Sequence, residues 1–373
     1  PIEAVAYLSR LDEPDTVSDQ PEDKASRSGP ATDATGEFFA VGAPLHAVKA
    51  SYIRRRADDL LYEAAVAGRY AHVIAPDRSG KSSLIAATAA RLENHGVRVA
   101  VLDLNQIGVR DGAQDAGRWY YNVAYRLLRQ LRIRFDLQEW WQDKSMLGNR
   151  QRLFEFYAEV LLQNVADDVV VFVDEMQCVE EVAHADQLLA SIRAAHNARA
   201  TDPDFLRLTF VLLGECDPLV LVNEPEASPF NVTQAIPLDD FSRGDLDRFA
   251  TEFPVSRELA TEALDRIYHW TRGQPYLSQK LARAVSRDLG AGDVAEQVDR
   301  IAAQQLAGKA ALHNEPHMSH IHRQVMSTGK QREALLNLYG RIRKGITVSA
   351  DLGSAAQRRL LATGLIEVDE AGD

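Results

Sequence analysis

Val73-Ile74-Ala75-Pro76-Asp77-Arg78-Ser79-Gly80-Lys81-Ser82-Ser83-Leu84 reads as an apolar strand end, a polar turn and the start of an Ala-rich helix. That order builds an anion site, because the turn amides and the first amides of the helix lack partners within their own element and face one concavity. Gly80 lets the backbone approach a phosphate group, and Lys81 sets its ammonium against the β and γ phosphates of a nucleotide. Ser82 offers a hydroxyl to Mg²⁺, a hard cation that seeks oxygen ligands and keeps several waters. Ala75, Arg78, Ser79 and Ser83 complete the predicted contacts of the turn. The usual phosphate-loop pattern begins on Gly, and here Ala75 holds that place. The flanking strand and helix therefore carry the reading, with a capped helix start as the alternative.

Outward from this turn, short β-branched runs alternate with longer segments of helical period, the pattern of a parallel sheet covered by helices. Strands are expected at Tyr70 to Ile74, Arg98 to Leu104, Val169 to Val173, Leu206 to Leu213 and Thr233 to Leu238. Helices are expected at Lys81 to Asn94, Trp119 to Leu131, Arg150 to Asn164 and Asp186 to Arg199. The third strand, Val169-Val170-Val171-Phe172-Val173, ends in Asp174-Glu175, at the sheet edge where ligands of such folds bind. Asp174 then holds Mg²⁺ with Ser82, and Glu175 polarises an attacking water as general base, with Lys81 as the second catalytic group. A core strand followed by a solvated acidic turn is the competing reading. The fourth strand ends in Gly214-Glu215-Cys216-Asp217, which places Asp217 or Glu215 toward a γ-phosphate, although a carboxylate is awkward beside phosphate oxygens and a plain turn is the alternative.

The fold class is thus α/β, a P-loop NTPase with a parallel five-stranded sheet, followed by a helical lid subdomain and a winged helix that lacks its final strands. The expected boundaries are a disordered acidic linker over 1–36, the α/β domain over 37–240, the lid over 241–308 and the winged-helix-like part over 309–373. The linker reading rests on its Asp, Glu, Pro, Ser, Thr and Gly content, which offers too little apolar surface to offset ordering entropy. Helices follow the sheet near Gly244, at Arg257 to Trp270, Tyr276 to Asp288 and Val294 to Ala307. Lys330 to Lys344, Ser354 to Thr363 and Leu365 to Val368 then read helix, helix, strand. A net charge of −12 argues against non-specific binding to nucleic acid or membranes by the chain as a whole. Two cysteines are too few for a disulfide framework. No apolar run reaches the roughly 18 residues that span a bilayer, so a cytoplasmic protein is expected. A first residue of Pro1 suggests a piece of a longer chain.

Beyond these motifs, the chain from about Phe38 to Asp369 resembles the AAA-like NTPase domains of bacterial STAND signalling proteins. The matching stretches are Ser51-Tyr52-Ile53-Arg54-Arg55-Arg56-Ala57-Asp58, Gly80-Lys81-Ser82-Ser83, Val101-Leu102-Asp103-Leu104, Val173-Asp174-Glu175, Pro229-Phe230-Asn231 and Trp270-Thr271-Arg272-Gly273-Gln274-Pro275-Tyr276-Leu277. The resemblance implies an ATP- or ADP-binding switch with Mg²⁺ and slow hydrolysis, fused to effector and sensor parts and open to nucleotide-dependent oligomerisation. It implies that Gly273 and Pro275 contact the adenine, and that Arg55 lies beside the nucleotide. Relatives commonly lack the first loop glycine, as here. The chain departs from them at Arg78-Ser79, at Met176-Gln177 after the acidic pair, and at Gln234-Ala235, where relatives carry a basic pair.

Two other functions stay open. Nine Lys or Arg lie between Lys309 and Leu361, and Arg358 and Arg359 on the second helix of a winged helix would suit a DNA groove in an initiator- or transposition-helper-like ATPase. The atypical loop also fits a nucleotide-binding scaffold without turnover. His313, His317, His320 and His322 sit beside the basic stretch, where a polar connecting loop is expected rather than a metal site.

Overall fold

The computed structural model describes residues 38, 39, 41, 51–107, 115–181, 186–215, 221, 226, 228–290, 292–306, 315–326, 331–351 and 353–366. In chain order its elements begin with helix α1 (Arg56–Val66), strand β1 (Ala71–Ile74), α2 (Lys81–Asn94), β2 (Arg98–Asp103), α3 (Ala116–Leu131) and α4 (Leu137–Asp143). Helix α5 (Asn149–Glu155) continues through a π turn (Phe156–Leu161) to Asn164. Then follow β3 (Val169–Asp174), α6 (Asp186–Ala198), β4 (Leu208–Gly214) and β5 (Gln234–Ala235). A 3₁₀ stretch (Gly244–Glu252) precedes α7 (Arg257–Thr271), α8 (Pro275–Asp288), α9 (Val294–Leu306), α10 (Pro316–Met326), α11 (Gln331–Arg343) and α12 (Ala355–Ala362). None of the described helices is long and apolar enough to cross a membrane.

The five strands form one parallel sheet in the order β2-β3-β4-β1-β5. Side chains of a strand alternate between its faces, and here both faces are covered. Val169, Val171 and Val173 of β3 join a core with Leu208, Phe210 and Leu212 of β4 and with residues of α3, α5 and α6. Val170 and Phe172 join the opposite core with Val211, Leu213 and the inner residues of α1 and α2. This explains why β3 and β4 are buried at every position rather than at alternate ones, and are apolar except at Thr209 and the terminal Asp174. The expected first four strands are present to within two residues. The fifth is shorter than Thr233 to Leu238, for it pairs with β1 alone and only over Ala71 and His72.

At the edge of the sheet remote from the phosphate loop, Arg199 laces three segments together. Its guanidinium donates to the carbonyls of Gly68 (2.6 Å), Phe205 (3.2 Å) and Leu208, and lies 4.3 Å from the centroid of the Tyr70 ring.

The described residues divide into two units. One comprises the described residues of 38–41, 51–53 and 240–332, and the other those of 54–239 and 333–366. The sheet and α12 belong to the second. The first has its own core, in which Phe39, Ile53 and Phe241 pack with Leu246, Phe249 and the inner faces of α7, α8 and α9. Helix α8 opens on Pro275, a residue suited to a first helical turn because its missing N–H has no intrahelical partner there. Within this unit the Glu315 carboxylate is buried. It accepts from the Tyr276 hydroxyl (2.8 Å), the Lys280 ammonium (3.3 Å) and the Met318 N–H (2.8 Å), so that α10 is both capped and fastened to α8.

The stretch expected as a polar connecting loop is instead helix α10, whose buried face carries His317, Ile321 and Val325; His313 lies outside the described residues. Among the described residues no group of three or more His, Cys, Asp or Glu is arranged to hold a metal ion. Of the expected final strand, residues 365 and 366 are described and not in a strand, and 367 and 368 lie outside the description.

Candidate functional site

The site forms at the C-terminal ends of β1, β3 and β4, all within the second unit. From β1 the chain passes through Ala75, whose N–H donates to the Gly214 carbonyl at the end of β4 (3.1 Å). Arg78 takes a left-handed backbone with φ 60°, and Gly80 does so with φ 95° as the residue before α2. A side chain on Gly80 would be strained by that backbone, and its Cβ would lie 2.8 Å from the Arg55 guanidinium. Arg55 itself stands at the start of α1, donating to the Ser79 carbonyl (2.8 Å) and to that of Asp239 (3.1 Å). It thereby braces the outside of the turn.

Lys81 opens α2, with only 7% of its surface exposed. Its ammonium donates to the carbonyls of Ala75 (2.9 Å) and Pro76 (2.8 Å), so the positive charge is held over the turn that precedes it. The next residue, Ser82, places its hydroxyl 3.4 Å from Asp174 Oδ2, which brings the loop and the acidic strand end together. Ser83 is half-buried in the same first turn. The Ser79 hydroxyl is buried and, among the described residues, has no hydrogen-bond partner.

Four carboxylates gather opposite the loop. In-register pairing of β2 with β3 sets Asp103 beside Asp174, and Glu175 follows at once with φ 63°, its N–H donating to Asp174 Oδ1 (2.9 Å). Glu215 extends from β4. Burial, then the charge of Asp174, then those of Glu215 and Asp103 push the Glu175 carboxyl up to about 7, against an opposing pull from Lys81. Burial also raises Asp174, opposed by the Glu175 N–H and by Lys81. Two amides approach Glu175: Asn105 Nδ2 donates to its Oε2 at 3.1 Å and Gln177 Nε2 to the same oxygen at 2.6 Å.

The residues expected at the site are thus partly assembled. Arg55, Ala75, Ser79, Gly80, Lys81, Ser82, Asp174 and Glu175 meet, with Arg78 in the same turn, ion-paired to Asp77 (3.3 Å). Asp217 lies outside the described residues, as does Cys216. Gly273 and Pro275 belong to the first unit, where Gly273 (φ 86°) accepts at its carbonyl from the Phe241 N–H (2.9 Å); a Cβ on Gly273 would collide with the Phe241 carbonyl. Asn105 was missed. It reaches Glu175 only through the pairing of β2 with β3, which sets the two strand ends side by side.

The sequence pattern of the family described as AAA-like domain matches residues 42–372. The chain belongs to the AAA-like domain family. A curated relative, an uncharacterized WD repeat-containing protein of Synechocystis sp., is 32% identical over 340 residues, which are 88% of this chain and 28% of the relative. This chain therefore spans less than a third of that relative's length. Among solved structures, a Walker-type ATPase of Pyrococcus abyssi is similar at 15% identity with a TM-score of 0.52, covering 90% of this chain and 95% of its own. The ORC2 protein of Aeropyrum pernix, solved as ADPNP–ADP complexes, is similar at 12% identity with a TM-score of 0.50, covering 89% and 90%. At such identities these two likenesses speak for the fold alone.

The groups present in this AAA-like domain fit a nucleotide with Mg²⁺. The orphaned Ser79 hydroxyl, the first amides of a helix of 14 residues and the Lys81 ammonium form a donor set suited to phosphate oxygens. Four carboxylates facing one lysine leave negative charge that a divalent cation would balance. With no cluster of three protein ligands among the described residues, Mg²⁺ would take Ser82 and Asp174 together with phosphate and water oxygens.

Proposed function

We propose that this chain is the nucleotide-holding core of an ATP/ADP switch with slow hydrolysis, acting within a larger sensor and effector protein. The observation that carries the reading is the meeting of the Lys81–Ser82 turn with Asp174 and Glu175 at one sheet edge, through the 3.4 Å approach of Ser82 to Asp174. The WD repeat-containing relative supports the larger assembly, because the matched part is 28% of its length.

In this reading Lys81 and the loop amides bind the β and γ phosphates, and Ser82 and Asp174 hold Mg²⁺. The bound ion supplies charge neutralisation to the transferring phosphoryl group. Glu175 orients the attacking water and takes its proton, a task matched by a carboxyl whose affinity for protons is raised toward neutrality. Arg55 keeps the loop in shape from outside. Switching follows if ATP and ADP stabilise different arrangements of the chain, since a ligand shifts an equilibrium only by its difference in affinity for the two states.

The test is mass spectrometry of nucleotide retained through gentle purification, with size measurement in ATP and in ADP. ADP or ATP should copurify with the wild type, and Lys81→Ala should lose it, weakening binding by roughly tenfold or more, the loss expected for a buried charge-assisted contact. Nucleotide retained at wild-type stoichiometry in Lys81→Ala would refute the phosphate site. Glu175→Gln should keep nucleotide and lower phosphate release by roughly 10²- to 10⁴-fold, the range for a general base. Equal release would leave Glu175 without a catalytic role.

A further inference from the structure

Glu175 is held in a demanding place. Its left-handed backbone, φ 63°, costs a non-glycine residue about 1 kcal/mol or more, and is kept by the bond to Asp174 Oδ1 and by the Cys178 N–H donating to the Glu175 carbonyl (2.9 Å). The turn sends its carboxylate among Asp103, Asp174 and Glu215, where every charged neighbour except Lys81 repels it. Neutral donors must fix it there.

Of the two amides that reach its Oε2, Asn105 also accepts at Oδ1 from the Cys178 thiol (3.0 Å), and its backbone N–H donates to Asp103 Oδ1 (2.9 Å) at the end of β2, the strand it follows. Gln177 goes further. Its Nε2 donates to Glu175 (2.6 Å) and to Glu215 Oε1 (3.3 Å), while its Oε1 accepts the Glu215 N–H (3.3 Å). A primary amide has two N–H groups and one carbonyl, so both ends of Gln177 are engaged. It is a neutral bridge between two carboxylates that would otherwise repel. A carboxylate at this position would have no N–H to give.

We propose that Gln177 is the positioning residue for Glu175, tying the base at the end of β3 to the end of β4. This rests on the hydrolytic reading of Glu175, and adds which side chain sets the base and which strand the base follows. A displacement of the β4 end is then passed to Glu175 through one amide.

The full chain is tested as Gln177→Ala and Gln177→Glu. In Gln177→Ala, kcat for ATP should fall roughly ten- to a hundredfold, as for a misplaced group, with KM changed by less than about twofold. A crystal structure of that variant should show the Glu175 carboxylate moved from its place. Gln177→Glu keeps the shape but exchanges the donor for a charge. Its kcat should fall below that of Gln177→Ala. Were the side chain mere packing, Gln177→Ala would be the worse variant, and that result overturns the proposal. Should wild type and Glu175→Gln release phosphate equally, the hydrolytic reading falls. The Gln177→Ala structure still decides the positioning claim, which an unmoved Glu175 carboxylate refutes.

Discussion

Two neighbouring residues of the phosphate turn make opposite demands on the protein. Ser79 buries a hydroxyl with no partner among the described residues, a desolvation cost of about 1–3 kcal/mol if nothing binds there. Ser79→Ala should therefore leave the nucleotide-free protein as stable as the wild type or up to about 1 kcal/mol more so, while weakening nucleotide binding; thermal melting and calorimetric titration measure the two. A loss of stability without loss of affinity would show that the hydroxyl serves the fold. Gly80 behaves differently. Its φ of 95° strains any side chain, so Gly80→Ala should cost about 1 kcal/mol and also lower affinity, read by the same two measurements.

At the scale of elements, α10 hangs on Glu315. Burial by itself would raise this carboxyl, but the Met318 N–H, the Tyr276 hydroxyl and the Lys280 ammonium outweigh it and hold it below the ordinary glutamate value. A depressed carboxyl contributes stability that is fully present above the unfolded-state pKa, near 4.3, and is lost as pH falls through the lower folded value. The attachment of α10 to α8 should therefore weaken below about pH 4, visible as faster amide exchange over residues 316–326. Glu315→Gln should remove this acid dependence, and an unaltered pH profile in that variant would assign the acid limb to other groups. The elements also show what a sequence can and cannot tell. The continuous apolar runs of β3 and β4 were legible because both sheet faces are covered. Helix α10 was not, since its four-residue spacing of His317, Ile321 and Val325 depends on His317 acting as a core residue. The π turn in α5 leaves no trace in hydrophobic period, as one extra residue per turn changes a face only locally.

For the whole molecule, the separate cores of the two units predict separate responses. Nucleotide bound at the Lys81 turn stabilises the unit that carries it, by about 2.7 kcal/mol at a hundredfold excess over Kd. Scanning calorimetry should show a transition raised by several degrees with ADP and Mg²⁺, and no shift in Lys81→Ala; an equal shift in the variant would place the ligand elsewhere. At this scale the loop and the acidic pair were readable from types and order of residues, since strand, turn and helix bring Lys81 and Ser82 into place locally. The network around Glu175 was not, because Asn105 reaches it from the end of β2 and Gln177 meets Glu215 at the end of β4 only through the lateral order of the strands, which no local pattern encodes.

That lateral order has a practical outcome. β4 lies between the strand that launches the phosphate turn and the strand that ends in the acidic pair. Its final carbonyl, on Gly214, accepts from Ala75, while the next residue meets Gln177. A single ¹³C label at the Gly214 carbonyl would let one infrared band watch both halves of the centre at once.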